Sequence, residues 1–190
     1  MKIARCKLVS ISTLSQSRKH NEPKLNDKEK PDDYEKRTWR HKCHTNEKGE
    51  VIITPIAFKF SIDQAAKMLR MRIPGKGNSE YTKHFKSGII VTTEVVIAKS
   101  RDDLVPGTFL MSVKGVRGNG GGSKVERILP QVPKWSGVVD YYVIDETITQ
   151  DVFEKHLRES GNLVGIGQFR PENGGYCGRF KVESIEWLDG

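Results

Sequence analysis

Hydrophobic and polar residues alternate at both ends of the sequence, as in strands that bury one face. In residues 1–12, Ala4, Cys6 and Leu8 fall on one side, and charged residues such as Arg5 separate them. Residues 179–188 show a similar alternation with one irregular step. A period of two residues is typical of half-buried β-strands, so both segments are predicted to be strands.

Helical spacing of apolar residues appears in the middle of the chain and again towards its end. Residues 56–71 and 149–160 each carry an apolar stripe that recurs every three or four positions. Shorter helices are predicted at 31–44, where acidic residues follow a proline, and at 79–86. Thr149 is a good N-cap because its hydroxyl can accept a hydrogen bond from the first turn.

Further apolar runs between the predicted helices indicate more strands. They cover residues 51–54, 88–99, 108–116, 125–129, 135–148 and 163–169. The last of these runs would pair with residues 179–188 in a closing hairpin. The element order predicts an α+β fold with a mostly antiparallel sheet, and no repeat of fixed period is visible.

Length and composition favour one soluble domain over residues 1–190. No apolar run approaches the ~18–20 residues of a membrane span, and the charged first segment does not match a secretory signal. Three cysteines far apart fit free thiols in a reducing compartment, which predicts a cytoplasmic protein. The net charge of +8 favours a polyanionic partner, for which nucleic acid is the default inside a cell.

The loop at residues 170–178 is the first candidate site. It combines glycines with flanking cations, so its main-chain amides and guanidinium groups could contact phosphates, although an ordinary glycine-rich hairpin has the same composition. Residues 175–182 are similar to the aromatic-glycine signature of RNA-recognition-motif strands. We predict Phe180 as a core residue and Tyr176 as a base-stacking residue. The candidate contacts here are Arg170, Gly174, Gly175, Tyr176 and Arg179.

A second glycine run, at residues 115–127, is too polar to pack a core. One interpretation is a flexible hairpin tip without a binding role. The functional interpretation is a mobile digit that supplies Arg117, Lys124 and Arg127 to a nucleic-acid backbone. The polar loop at residues 13–30 adds Arg18, Lys19 and Lys24, which could close over a bound strand.

Other chemistry is weakly indicated. Residues 40–44 contain histidines and a cysteine, but no second pair lies at the spacing of a zinc finger. Residues 74–77 lack the spacing of a phosphate-binding P-loop. Asp27, Asp32 and Asp33 could hold a divalent ion, or could be the acidic start of a helix. We therefore predict no cofactor and no metal site.

Three stretches resemble the RAMP superfamily, which includes backbone subunits of CRISPR effector complexes. The strand Val51-Ile52-Ile53-Thr54 ends at Pro55 and leads directly into a helix, although Ile56-Ala57-Phe58 replaces the usual Gly-Ser-Ser. The glycine insertion at 115–124 lies where that family has a thumb. Residues 165–180, GIGQFRPENGGYCGRF, are similar to its closing hairpin. Over residues 8–183, the order of the pieces looks closest to small bacteriophage proteins without a settled function.

The resemblance implies a modified RNA-recognition-motif (ferredoxin-like) core with a thumb at about residues 108–135. It also implies binding to single-stranded DNA or RNA. The first hypothesis is a non-catalytic protein that coats the strand as a self-associating multimer. The alternatives are a metal-dependent endoribonuclease using Asp27, Asp32 or Asp33, and a factor that binds phage or CRISPR-type proteins by mimicking or blocking a backbone subunit.

Overall fold

Four antiparallel strands form the central sheet of the computed structural model, in the order β4–β8–β1–β9. The structure describes the backbone of residues 1–112 and 124–190, and the side chains of 1–110 and 125–190. The four strands are β1 (Lys2–Ser10), β4 (Ile89–Val91), β8 (Ser136–Val143) and β9 (Phe180–Asp189). As predicted, the alternating side chains of β1 bury Ala4, Cys6 and Leu8 on one face.

Helices α2 (Pro55–Leu69) and α4 (Gln150–Glu159) cover that buried face. Their apolar stripes supply Phe58 and Phe153, which are fully buried. The Phe153 ring meets the rings of Tyr141 on β8 and Trp187 on β9 at centroid distances of 5.4 and 5.3 Å. Truncating such a ring costs about 3–5 kcal/mol, so this layer holds the sheet and helices together.

The connectivity β1–α2–β4–β8–α4–β9 is the βαββαβ order of a ferredoxin-like fold. Each β-α-β half leaves a gap that a strand of the other half fills, so all neighbours in the sheet are antiparallel. The predicted fold class is therefore confirmed.

Local signals explain where the two covering helices begin. Pro55 occupies the first turn of α2, where its missing N–H costs no hydrogen bond. The Thr149 hydroxyl accepts from the Val152 amide at 3.4 Å, which makes it the N-cap that the sequence predicts. Both helices thus begin where the sequence places them.

Three insertions decorate this core. The first, between β1 and α2, contains β2 (Leu14–Ser15), α1 (Pro31–Thr38) and β3 (Val51–Ile53). Helix α3 (Thr82–Gly88) leads into β4. The second insertion lies between β4 and β8 and contains β5 (Val95–Ala98) and the hairpin of β6 (Val105–Ser112) and β7 (Lys124–Val132). The third, at residues 160–179, joins α4 to β9 and carries the glycine-rich segment.

Two strand predictions are wrong. Residues 88–99 form two separate strands: β4 joins the central sheet and β5 pairs with β3. The polar stretch at 92–94 lies between them. Residues 163–169 are not a strand, because Gly165, Gly167 and Phe169 have φ angles of +72°, +79° and +53°, which an extended backbone cannot contain.

All three cysteines are buried free thiols. Burial raises the pKa of the Cys43 and Cys177 thiols above the ordinary value. Among the helices of the described residues, none has the length and apolar character to span a membrane.

Candidate nucleic-acid interface

The segment at residues 165–178, hereafter the glycine loop, follows a path that β2 and its own ends fix. The Gln168 amide donates to the Ser15 carbonyl at 2.7 Å, and the Gly178 amide donates to the Thr13 carbonyl at 2.8 Å. Between the loop ends, the Ile166 amide donates to the Gly178 carbonyl at 3.0 Å. A Cβ at Gly167 or Gly178 would overlap a backbone oxygen, so these glycines are required for the close approach.

One side of the glycine loop packs against the β6–β7 hairpin. Phe169 has a left-handed backbone, and its ring stacks on Phe109 of β6 at a centroid distance of 4.1 Å. Leu129 and Cys177 complete this small apolar cluster. The loop and the hairpin, two separate stretches in the sequence, therefore form one continuous surface.

Tyr176 lies at the edge of this surface. Its side chain is 64% exposed, and its ring centroid is 6.4 Å from that of Phe109. Phe180 is 1% exposed and belongs to the core, as the sequence predicts. An exposed ring beside a glycine-rich backbone is a geometry on which a nucleobase can stack.

The other side of the glycine loop lines a cleft of about 370 Å³ against the start of α2. Leu14, Ile53 and Ile166 are its buried apolar residues. Ile56 and Phe60 on α2 remain 69% and 39% exposed beside it. The polar side chains that line the cleft belong to Gln16, Ser17, His44, Thr54, Gln168 and Arg170.

Arg170 is held flat against the cleft. Its Nη2 lies 2.8 Å from a Glu172 carboxylate oxygen, and its Nη1 donates to the Gly167 carbonyl at 3.1 Å. The guanidinium carbon lies 4.9 Å from the centroid of the Phe60 ring. Glu172 compensates the charge of Arg170. A ligand would therefore meet mainly the planar face of the Arg170 guanidinium group rather than a free positive charge.

Arg18 and Lys19 directly follow Ser17, which lines the cleft, and the charge of Arg18 acts on His44, another lining residue. Both are exposed, and the Arg18 amide donates to the Lys42 carbonyl at 2.7 Å. Neither cation forms an ion pair with any carboxylate of the described side chains. Burial, and secondly the charge of Arg18, lowers the pKa of His44 below its ordinary value, so His44 is neutral near pH 7.

Lys24 lies elsewhere. Its part of the polar loop is tied to α1, where Arg37 bonds the Glu29 carboxylate at 2.9 Å and the Pro23 carbonyl at 2.9 Å. The Tyr34 hydroxyl adds a bond to the Glu22 carbonyl at 2.7 Å. Lys24 is exposed but does not line the cleft.

Arg127 lies in the middle of β7, opposite Phe109 of β6, and a buried carboxylate faces it. Its Nη1 is 3.6 Å from Glu35 of α1. Glu35 also bonds Lys42 and accepts from the Ile128 amide at 2.9 Å. This network anchors the hairpin to α1. Arg117 and the Lys124 side chain lie outside the described residues.

The remaining predicted contacts surround the glycine loop. Arg179 is half-buried and donates from Nε to the Asn162 carbonyl at 3.2 Å. Gly174 is exposed with open space above its Cα, whereas Gly175 lies against the Phe169 carbonyl. Gly174, Gly175 and Tyr176 therefore share one exposed turn, while Arg179 lies past its end.

The open face of the central sheet carries compensated charges. Arg5 makes a two-pronged contact with Asp140 of β8, with both nitrogens 2.9 Å from a carboxylate oxygen. Lys7 pairs with Glu183 of β9 at 2.6 Å. An RNA-recognition-motif sheet binds through this face, but here the ion pairs make it a poor attractor of phosphate.

The candidate metal ligands do not form a cluster. Asp32 and Asp33 lie in the first turn of α1, as the helix-start interpretation predicts. Within 1–112 and 124–190, no three histidine, cysteine or acidic side chains are placed to hold one ion.

Sequence reasoning missed most of the cleft. Phe60, His44 and Gln168 come from three separate segments, and only the fold brings them together. The strand–proline–helix step at Pro55 was the one available signal, since it fixes where α2 begins.

No family model and no curated protein matches this sequence. Among solved structures, one similar chain is in a "Type III-B Cmr-beta bound to cognate target RNA", with 16% identity and a TM-score of 0.47. The match covers 99% of this chain and 61% of that chain. Cmr6 from Pyrococcus furiosus matches with 12% identity and a TM-score of 0.48, over 96% of this chain and 99% of that one.

Both matched proteins are RAMP-type CRISPR subunits, the group that the sequence resembles. At these identities the likeness concerns the fold, and the ferredoxin-like assignment rests on the chain's own strand order. The resemblance to bacteriophage proteins stays a prediction. Both TM-scores lie below 0.5, so these matches add no argument for a family or a function.

Proposed function

We propose that this protein is a non-catalytic binder of single-stranded nucleic acid, and that the strand lies over the glycine loop. The observation that carries the proposal is the two-sided placement of that loop. On one side of the loop, Phe169 packs against the β6–β7 hairpin and Tyr176 is exposed. On the other side, Gln168 and Arg170 line the cleft. A bound strand would meet exposed main chain, aromatic rings and cations within one surface.

Electrostatics supports the same surface. The chain carries a net charge of +8, and many of its cations are compensated by carboxylates. Arg18, whose charge acts on the cleft residue His44, and the adjacent Lys19 form no ion pair within the described part of the chain. Uncompensated cations release counterions from a nucleic-acid backbone and so supply affinity that does not depend on sequence.

Single strands fit this surface better than duplexes. Tyr176 on the glycine loop and Phe60 on α2 are exposed rings, and stacking on such rings requires bases that are not already paired. The glycines let a backbone approach closely without reading sequence. We extend this proposal to coating, in which successive copies of the protein bind along one strand. Arg117 and Lys124 of the thumb would then contact the nucleic-acid backbone.

A salt titration of binding tests the proposal. Fluorescence anisotropy would compare labelled single-stranded RNA, single-stranded DNA and a duplex of equal length. We expect binding to the single strands, with a logarithmic salt slope near −2 from about three phosphate contacts at ~0.7 each. Absence of binding, or binding that does not change with salt, would contradict the proposal.

The same samples separate the alternatives. Labelled RNA that is cleaved with magnesium but not with EDTA would indicate the endoribonuclease that uses Asp27, Asp32 or Asp33. A complex with a CRISPR backbone subunit that survives nuclease treatment would indicate the protein-binding factor. The proposal predicts intact RNA in both conditions.

A further inference from the structure

The cleft contains polar side chains that have no hydrogen-bond partner among the residues that the structure describes. Ser17, His44 and Gln168 line it, and their side chains form no hydrogen bond with any described residue. By contrast, both polar atoms of the Gln16 side chain have partners, because Nε2 donates to the Ile52 carbonyl and Oε1 accepts from the His44 amide. Three unengaged polar groups around an apolar floor are the arrangement of a small-ligand site.

The size of the cleft limits what it can hold. Its volume of about 370 Å³ is near the lower end of the ~300–1,000 Å³ typical of small-molecule sites. That space suits one flat heterocycle with its sugar, and it is too small for a stack of bases. Leu14, Ile53 and Ile166 offer apolar contact to such a ring, and the Arg170–Phe60 pair offers planar surfaces.

We propose that the cleft takes one nucleobase that turns out of the bound strand, and that Gln168 and His44 bind its hydrogen-bonding edge. This inference rests on the proposed function, because the strand delivers the base. An amide group can donate and accept at once, which is the pattern that a base edge requires. Arg18, next to Ser17, would then contact the adjoining phosphate.

The neutral state of His44 matters for this role. A neutral imidazole has one donor nitrogen and one acceptor nitrogen, whereas an imidazolium has two donors. Near pH 7 the cleft therefore presents both kinds of group from His44 and both from Gln168. Such a set discriminates between bases, because a mismatched edge leaves a buried polar group unpaired.

Two substitutions test the inference separately from general binding. Ala57→Leu fills the cleft from α2, and leucine suits a helix nearly as well as alanine. Gln168→Leu removes one polar group and keeps the approximate size. Met68→Leu is the matched control, because Met68 is an exposed residue of α2 that does not line the cleft. Thermal unfolding of each variant establishes that it is folded.

The readout is affinity for four single-stranded oligonucleotides that differ only in one central base. For the wild type we expect a spread of about tenfold between the best and worst base. Ala57→Leu and Gln168→Leu should reduce the spread to less than about twofold with the salt slope unchanged. Equal affinities of the wild type for the four oligonucleotides, or an unchanged spread in both variants, would overturn this inference but not the proposed function. No binding by the wild type to any strand would overturn the proposed function as well.

Discussion

Replacing Gly178 by alanine is expected to lower the free energy of unfolding by about 3 kcal/mol or more. Gly178 has a φ angle of +75°, which already strains a residue with a Cβ. The added methyl group would also overlap the carbonyl oxygen of Ile166. That oxygen belongs to the backbone, so relieving the overlap would separate the two ends of the glycine loop.

Gly174 supplies a matched control in the same loop. Its φ angle is also +75°, but nothing lies within 4 Å of the position that a Cβ would take. Gly174→Ala should therefore cost only the backbone term, about 1–2 kcal/mol. Urea unfolding of the two variants measures the difference. Equal losses would show that the loop ends are not packed as closely as the structure has them.

The double substitution Arg18→Gln and Lys19→Gln is expected to weaken single-strand binding about tenfold or more at low salt. Two phosphate contacts would be lost, which reduces the magnitude of the logarithmic salt slope by about 1.4. Because both side chains are exposed and form no ion pair within the described residues, stability should change by less than about 0.5 kcal/mol. Anisotropy at several salt concentrations gives affinity and slope together.

Lys83→Gln with Lys155→Gln is the control of equal charge. These lysines are exposed on α3 and α4 and do not line the cleft. The control should change affinity by less than about twofold, because its charges lie away from the strand. If both pairs weakened binding equally, attraction would depend on total charge rather than on the surface beside the cleft.

Strong local patterns determined what the sequence could predict. The alternation in β9 and the stripe of α4 reflect burial on one face, so they identified the buried residues Phe180 and Phe153, whereas Ile56 and Phe60 of the α2 stripe are exposed. The glycine run before Tyr176 correctly indicated an exposed turn. Positions whose environment depends mainly on their own element could therefore be predicted.

Tertiary pairing determined the rest. Residues 88–99 are rich in β-branched residues, and no local pattern indicates that one half joins β8 while the other half joins β3. Residues 163–169 look like a strand, yet the hydrogen bond from Gln168 to Ser15 and the close approach of Gly167 to Ser15 favour a path with positive φ angles. In both places, distant partners outweighed the local preference.

The candidate site divides in the same way. The sequence predicts that cations and glycines form the site, but it does not show which of the cations pair with a carboxylate. Glu172 pairs with Arg170, and Glu35 faces Arg127 from a different element. Only the fold distinguishes these compensated cations from Arg18, whose charge acts on His44.

Photo-crosslinking tests most directly where a strand lies. Single-stranded RNA with 4-thiouridine at each position in turn would be crosslinked to the wild type, and the attached peptides identified by mass spectrometry. We expect attachment at Phe60, His44 or Tyr176, which line the cleft or lie on the glycine loop. Crosslinks confined to Arg5, Lys7 and Tyr142 would place the strand on the open face of the sheet and contradict this expectation.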